Sequence, residues 1–396
     1  MTNPTATQRL DRLEGYLQQD PENLALVGES FDAALQAGAW LRAETHLRKA
    51  QALAGHAPGW TLKEGQWLLA QHRFGEARAV LQVLSDAPDV PDDLRPVVAH
   101  DLAYIALREG APESGLAVLA PWVEVTPSQA VDGALQVLWL RLMHRAQRLD
   151  AAMAWARERW QVRQLATAAA GVASLVALDE SDFTASLLWS DHALKEPGAP
   201  VEALVARASV ALAEQAPALS RQLLQHALRL NPTDGRTWSA LAFTDLMEQQ
   251  LDAARASFAK ALQAMPEHVG TWHGLGWTCL SQGDTDAALR AFEQAIELDR
   301  NFAESHGGLA VVLAMRKAND AAQEAIDRAI RLDGTSLSAR YAQALLSGDA
   351  SDSRSLRRLA TRLLGGRAAP LGGSMLDLLP QVDDGTPAAP PPGDLN

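Results

Sequence analysis

The chain has 396 residues, 47% of them hydrophobic, and a formal net charge of -13. That length and apolar fraction suffice for two or three ordinary domains or for one long repeat array with a continuous core. The acidic balance argues against general nucleic-acid binding, which needs a basic face to displace counterions from phosphate; one cysteine, Cys279, excludes an internal disulfide framework and a cysteine-based metal cluster.

Alanine and leucine dominate the apolar residues, and polar residues interrupt them at helical spacing, which predicts an all-α protein. The opening MTNPTATQRLDRLEGYL lacks the basic segment, apolar run and small-residue cleavage site of a secretory leader. Nowhere do about eighteen uninterrupted apolar residues occur. A cytoplasmic location is the expectation.

In chain order, Leu10, Leu13 and Leu17 share one side of a first predicted helix that stops at Asp20-Pro21, so residues 1–23 read as an N-terminal capping helix. Helix-turn-helix segments of 34 residues follow at 24–57, 58–91 and 96–129, then without gaps at 133–166, 167–200, 201–234, 235–268, 269–302 and 303–336. The interval is plainest late in the series. Trp238 precedes Trp272 by 34 residues, as Leu241 precedes Leu275, Ala254 precedes Ala288, Phe258 precedes Phe292 and Ala261 precedes Ala295.

The pattern Trp272, Leu275, Gly276, Ala288, Phe292, Ala295, with its copy 34 residues earlier, resembles the tetratricopeptide repeat. The resemblance covers residues 24–336 and implies an all-α, right-handed superhelical solenoid of about nine helix-turn-helix repeats. Small residues at the eighth, twentieth and twenty-seventh positions fall where the two helices of a unit cross, which makes Gly276 a packing glycine and Trp272 a core tryptophan. Toward the N-terminal half, Phe31 and Leu140 occupy the eighth position, and Trp122 and Arg159 the twenty-seventh. Those pairs are expected to splay.

The family implies a concave wall built from the leading helix of each unit. Positions two, five, nine, twelve and thirteen of that helix face it. They place Arg141, His144 and Arg145 as a basic step, then Val205, Arg236, Phe243, Met247, His273, Trp277, Leu280 and Met315 as an apolar stretch with isolated basic groups. On this reading Trp277 stands exposed in the groove near Phe243, suited to an apolar or amphipathic helix. The family's carboxylate clamp, lysine at position five and asparagine at nine, is replaced by Ser239 with Phe243 and by His273 with Trp277.

Residues 337–366 read as a partial repeat followed by a basic capping helix carrying Arg354, Arg357, Arg358 and Arg362, a possible secondary contact for an acidic partner, an anionic membrane or RNA. Residues 367–396 are rich in proline, glycine and alanine and are expected to be disordered. Within them Met375, Leu376, Leu378 and Leu379 form an apolar docking motif, one candidate occupant of the groove.

No phosphate loop, zinc helix, nucleophile elbow or dinucleotide fingerprint occurs, so neither an enzyme nor a cofactor is expected. His268, His273 and His306 read as separate loop and helix-face residues, and no metal is expected. The expected function is a protein-binding scaffold, adaptor or chaperone holding a peptide or helix of another protein, with no DNA partner. Arginine in excess of lysine suggests a bacterial assembly factor for secretion, pilus or polysaccharide machinery. A ligand-gated regulator of a small signalling peptide, or a polysaccharide or nucleic-acid module using the groove aromatics, are the rival readings.

Overall fold

The structure, a computed structural model, describes residues 4–348. Among them all regular secondary structure is helical, and the chain divides into two compact units between Glu180 and Ser181. The first holds α1 (Pro4–Gln19), α2 (Leu24–Gln36), α3 (Trp40–Ala54), α4 (Pro58–Ala70), α5 (Phe74–Asp86), α6 (Arg95–Arg108), α7 (Pro112–Val123), α8 (Gly133–Arg145), α9 (Leu149–Gln161) and α10 (Thr167–Asp179). The second holds α11 (Phe183–Ala193), α12 (Val201–Ala213), α13 (Pro217–Leu230), α14 (Gly235–Met247), α15 (Leu251–Ala264), α16 (Val269–Ser281), α17 (Thr285–Leu298), α18 (Ala303–Met315), α19 (Asn319–Leu332) and α20 (Leu337–Ser347). Residues 353–366, the expected basic helix, and 367–396 lie outside the described residues.

The solenoid architecture comes from a turn that repeats. Gln147, Ser181, Gln215, Gln249, Gly283 and Lys317, each 34 residues after the last, adopt positive φ, from 56° to 77°. In the second unit the turn has the hydrogen bonds of a Schellman motif. Gln215 N–H donates to Leu212 O (3.0 Å) and Ala216 N–H to Ala211 O (2.8 Å), with equivalent bonds after α14, α16 and α18. Four of these left-handed residues in the second unit and at its edge are not glycine, so the paired backbone bonds outweigh a penalty of about 1 kcal/mol at each.

Small residues then set how closely the helices meet. Ala242, Ala254 and Ala261 are fully buried, as are Ala208, Ser220 and Ala227 one segment earlier. A Cβ on Gly276 would lie 2.7 Å from Phe292 Cε1 and Cζ, and one on Gly308 would lie 2.4 Å from Cε1. Phe292, fully buried, therefore occupies the space that two glycines on α16 and α18 leave open. In the second unit the leading helices pack on their trailing ones, α12 on α13, α14 on α15, α16 on α17 and α18 on α19.

Of the larger residues in the first unit, Phe31 fills the core without separating α2 from α3, and α6 stays close to α7 despite Trp122. Splaying occurs at α8 and α9, where Leu140 and Arg159 are both buried. The Arg159 guanidinium donates to the carbonyls of Val123 (3.1 Å), Val125 (3.4 Å) and Gln129 (3.1 Å) and stacks over Trp155, 4.6 Å from the ring centroid. It closes the C-terminal end of α7 and the loop after it, where backbone acceptors lack helical donors. At the N-terminal end, Leu10, Leu13 and Leu17 of α1 are buried, and Arg42 of α3 forms two bonds to Glu14 (2.9 and 2.6 Å) and one to Asp11 (2.6 Å). Arg42 holds the Glu14 carboxyl below the usual carboxylate range.

Candidate partner-binding face

The leading helices of the second unit carry an apolar row at positions nine and thirteen of the repeat. Phe243 and Met247 on α14 are 38% and 45% exposed, and Met315 on α18 is 49% exposed. Phe243 is anchored from below. Its ring meets Phe258 edge to face at 5.0 Å, and its tip lies over Gly274, where a Cβ would come within 2.8 Å. The two methionines end their helices and present flexible, polarisable side chains to solvent.

Trp277 differs from the sequence expectation. It is half-buried, meets Phe292 edge to face at 5.9 Å, and donates its indole N–H to His273 Nε2 at 3.0 Å. Because an indole only donates, neutral His273 carries its proton on Nδ1, which is buried and has no hydrogen-bond partner. Phe292 and Phe302 flank the imidazole at 5.5 and 5.6 Å. Burial among these rings pushes the His273 pKa down to about 4. Trp277 and His273 thus form the floor of the row.

Val205 and Leu280, assigned to the groove by position, are 3% and 9% exposed. Leu280 belongs to the core with Phe292 and Val311, so position twelve turns inward here. Arg236 is half-buried. In the first unit, Arg145 is exposed and Arg141 half-buried, while His144 Nε2 lies 2.7 Å from Asp179 Oδ2 on α10. That pairing removes His144 from a free basic step. Arg354, Arg357, Arg358, Arg362, Met375, Leu376, Leu378 and Leu379 lie outside the described residues.

Trp272 is corrected as well. It is half-buried rather than a core residue, and its indole N–H donates to Pro266 O at 2.7 Å. Trp238 does the same to Pro232 O (2.8 Å), His306 Nε2 lies 3.0 Å from Arg300 O, and Arg340 donates to Gly334 O (3.0 Å). At 34-residue intervals a long N–H-bearing side chain thus clips the carbonyl six residues before it, fixing the turn that enters each leading helix. Sequence reading missed this because tryptophan, histidine and arginine share no hydropathy. Also missed was the buried carboxylate of Asp245, which pairs with Arg221 (2.8 Å) and accepts from Ser257 Oγ (3.0 Å).

The described residues contain no group of three or more His, Cys, Asp or Glu able to hold a metal. His268 caps α16 by accepting from Thr271 N–H at 3.2 Å, so the three histidines named above serve three separate structural roles. Cys279 is buried, which pushes its thiol pKa up. No described helix is long and apolar enough to cross a membrane.

Comparison with known proteins places the repeat. Family models described as tetratricopeptide repeat match residues 233–301 and 273–336. Among solved structures, the chain is similar to the APC/C hetero-tetramer Cut9-Hcn1, with a TM-score of 0.58 and 14% identity over 82% of this chain and 62% of that one. This chain therefore spans less than two thirds of that relative. It is similar also to the human IFIT1 dimer with PPP-AAAA (TM-score 0.52, 14% identity, 89% of each chain). A monomeric IFIT1 mutant with m7Gppp-AAAA matches at a TM-score of 0.53, 14% identity, 91% of this chain and 92% of that one. At such identities the likeness concerns the fold. No curated protein matches by sequence.

Proposed function

Because the chain is a tetratricopeptide repeat protein, we propose that it is a non-enzymatic interaction scaffold whose second unit holds an apolar or amphipathic helix of a partner protein. One observation carries this reading: Phe243, Met247 and Met315, at positions nine and thirteen of the leading helices α14 and α18, stay exposed while the other large apolar residues of those helices are buried or half-buried. Exposed apolar rows on otherwise polar surfaces mark interaction sites, and methionines accommodate helices of differing shape. Phe243 supplies the rigid anchor, backed by Phe258.

The net charge of -13 disfavours an RNA ligand of the kind named for the IFIT1 structures, since such ligands carry phosphates. Cytoplasmic adaptor or chaperone activity, including assembly of bacterial secretion, pilus or polysaccharide machinery, is the narrower form of the same proposal. Its support is compositional.

The test is affinity capture from native lysate, followed by titration of the captured protein onto the purified chain and onto Met247→Arg/Met315→Arg. Both methionines are solvent-facing, so the double variant keeps its helicity. A loss of at least tenfold in affinity, with little salt dependence in the wild type, supports the face. Unchanged affinity in the double variant refutes it.

A further inference from the structure

The wall that carries the apolar row is uncharged. On α12, α14, α16 and α18, repeat positions five, nine, twelve and thirteen hold no Lys, Arg, Asp or Glu, and His273, kept neutral by burial, is their one titratable side chain. The first unit differs, with Asp32 on α2, Arg141 and Arg145 on α8 and Asp179 on α10 at those positions. Of the ionised groups bordering the wall, Glu214 pairs with Arg207 (3.0 Å), Glu248 with Arg221 (2.5 Å) and Arg316 with Asp286, while Glu304 accepts from the N–H groups of Leu337 (2.9 Å) and Ser338 (3.1 Å). Glu202 and Arg236 are engaged within the chain as well. Lys317, beyond the end of α18, is the exception.

The polar atoms of the wall also have partners of their own. Ser209 Oγ donates to Val205 O (3.0 Å), Ser281 Oγ donates to Trp277 O (2.9 Å), Ser239 and Thr271 share a hydroxyl hydrogen bond (3.0 Å), and the Trp277 indole is bound to His273. An extended peptide laid here would turn backbone N–H and C=O groups toward a surface that returns no hydroxyl or indole proton, which is costly once water is excluded. A helix satisfies those groups internally. An ionised side chain turned toward the wall would lose its water and meet no counter-charge.

The wall also has a length. α12, α14, α16 and α18 lie side by side in that order, and three spacings of about 8–10 Å span roughly 24–30 Å. We propose that the second unit selects a helix of about 16–20 residues whose inward face is apolar and free of ionised side chains, and that it rejects both extended segments and helices bearing a charge on that face. The inference rests on the apolar row being the binding face, and it fixes what that face accepts.

The experiment uses the full chain and labelled peptides of about 18 residues, read by fluorescence anisotropy. The reference peptide has leucine and alanine on one helical face and glutamine and serine on the other. Replacing a central leucine by glutamate or by lysine should weaken binding by about tenfold or more, whereas the same glutamate on the glutamine face should change little. A peptide of the same composition with its leucines at every second position should bind as poorly as the charged ones. Ala213→Arg on α12 and Met315→Arg on α18 should each weaken the reference peptide with helicity retained, because one helix reaches both. Ser281→Lys, at an exposed position of α16, should restore the glutamate peptide and not the lysine one.

Equal affinity for inward and outward charges, full affinity for the alternating peptide, or indifference to Ala213→Arg would overturn the inference. So would tighter binding by a peptide of residues 374–381, which would give the face to the chain's own end, or a dimer of the chain alone dispersed by Met247→Arg/Met315→Arg, which would give it to a second copy. Capture of a protein that depends on the two methionines, together with peptides that bind without discrimination or not at all, removes the inference and leaves the binding face. Capture unaffected by Met247→Arg/Met315→Arg, with the reference peptide unbound, removes both.

Discussion

Replacing Gly276 with alanine separates packing from helix propensity. Mid-helix, alanine is favoured over glycine by about 1 kcal/mol, and Gly276 lies within α16. Against that gain, the new Cβ would sit 2.7 Å from Cε1 and Cζ of Phe292, well inside contact distance. The ring cannot retreat, because it is fully buried, Gly308 presses its other neighbour helix against the same atoms, and Trp277 and His273 pack on it. Overpacking of this kind costs about 1–3 kcal/mol, so Gly276→Ala should lose up to about 2 kcal/mol net. Urea unfolding followed by far-UV circular dichroism measures it. Gly15→Ala is the control. A Cβ there meets nothing within 4 Å, and the substitution should gain about 0.5–1 kcal/mol. In a Phe292→Leu background the clashing ring atoms are gone, and Gly276→Ala should become neutral or stabilising, giving a coupling energy above about 1 kcal/mol. Stabilisation by Gly276→Ala in the wild type, or the same effect in both backgrounds, refutes the argument.

Arg159→Met should destabilise the first unit by about 2–4 kcal/mol, because it removes the donors that satisfy the carbonyls of Val123, Val125 and Gln129. Arg159→Lys should recover little of this, since a point ammonium cannot span three acceptors; full rescue by lysine, read in the same unfolding assay, would refute the role. His273, with a folded pKa near 4 against 6.5 when unperturbed, binds its proton less readily folded than unfolded. Its contribution to stability is therefore intact above about pH 6.5 and falls as pH drops toward 4, by about 2 kcal/mol between pH 7.5 and 5. In His273→Gln the unfolding free energy should be flatter over that range, and an unchanged slope would count against the burial argument.

Much of the fold was legible because a solenoid uses local rules. The 34-residue interval in Trp238, Ala254, Phe258 and their successors is the footprint of a turn that recurs through Gln147, Gln215, Gln249, Gly283 and Lys317. Small residues at fixed positions announce close helix crossings, and Gly276 shows the reason directly in its approach to Phe292. Helical periodicity likewise placed Phe243, Met247 and Met315 on a solvent-facing row.

Position in a repeat does not determine how far a large side chain leans, and there tertiary packing decided. Trp277 and Trp272 were distinguished in sequence as groove and core. Packing reverses the emphasis: the first lies down on Phe292 and His273, and the second turns outward to hold Pro266 O. Leu280 and Val205 were drawn inward for the same reason, since neighbouring helices offered them apolar surface that no single-helix projection contains. Arg159, a misfit in the repeat pattern, became intelligible only when the carbonyls at the end of α7 came into view. The sequence by itself determined the helices, their turns and their period, which depend on residues a few positions apart. Which exposed positions remain a surface depended on packing between neighbouring helices, and only the folded chain brings those together.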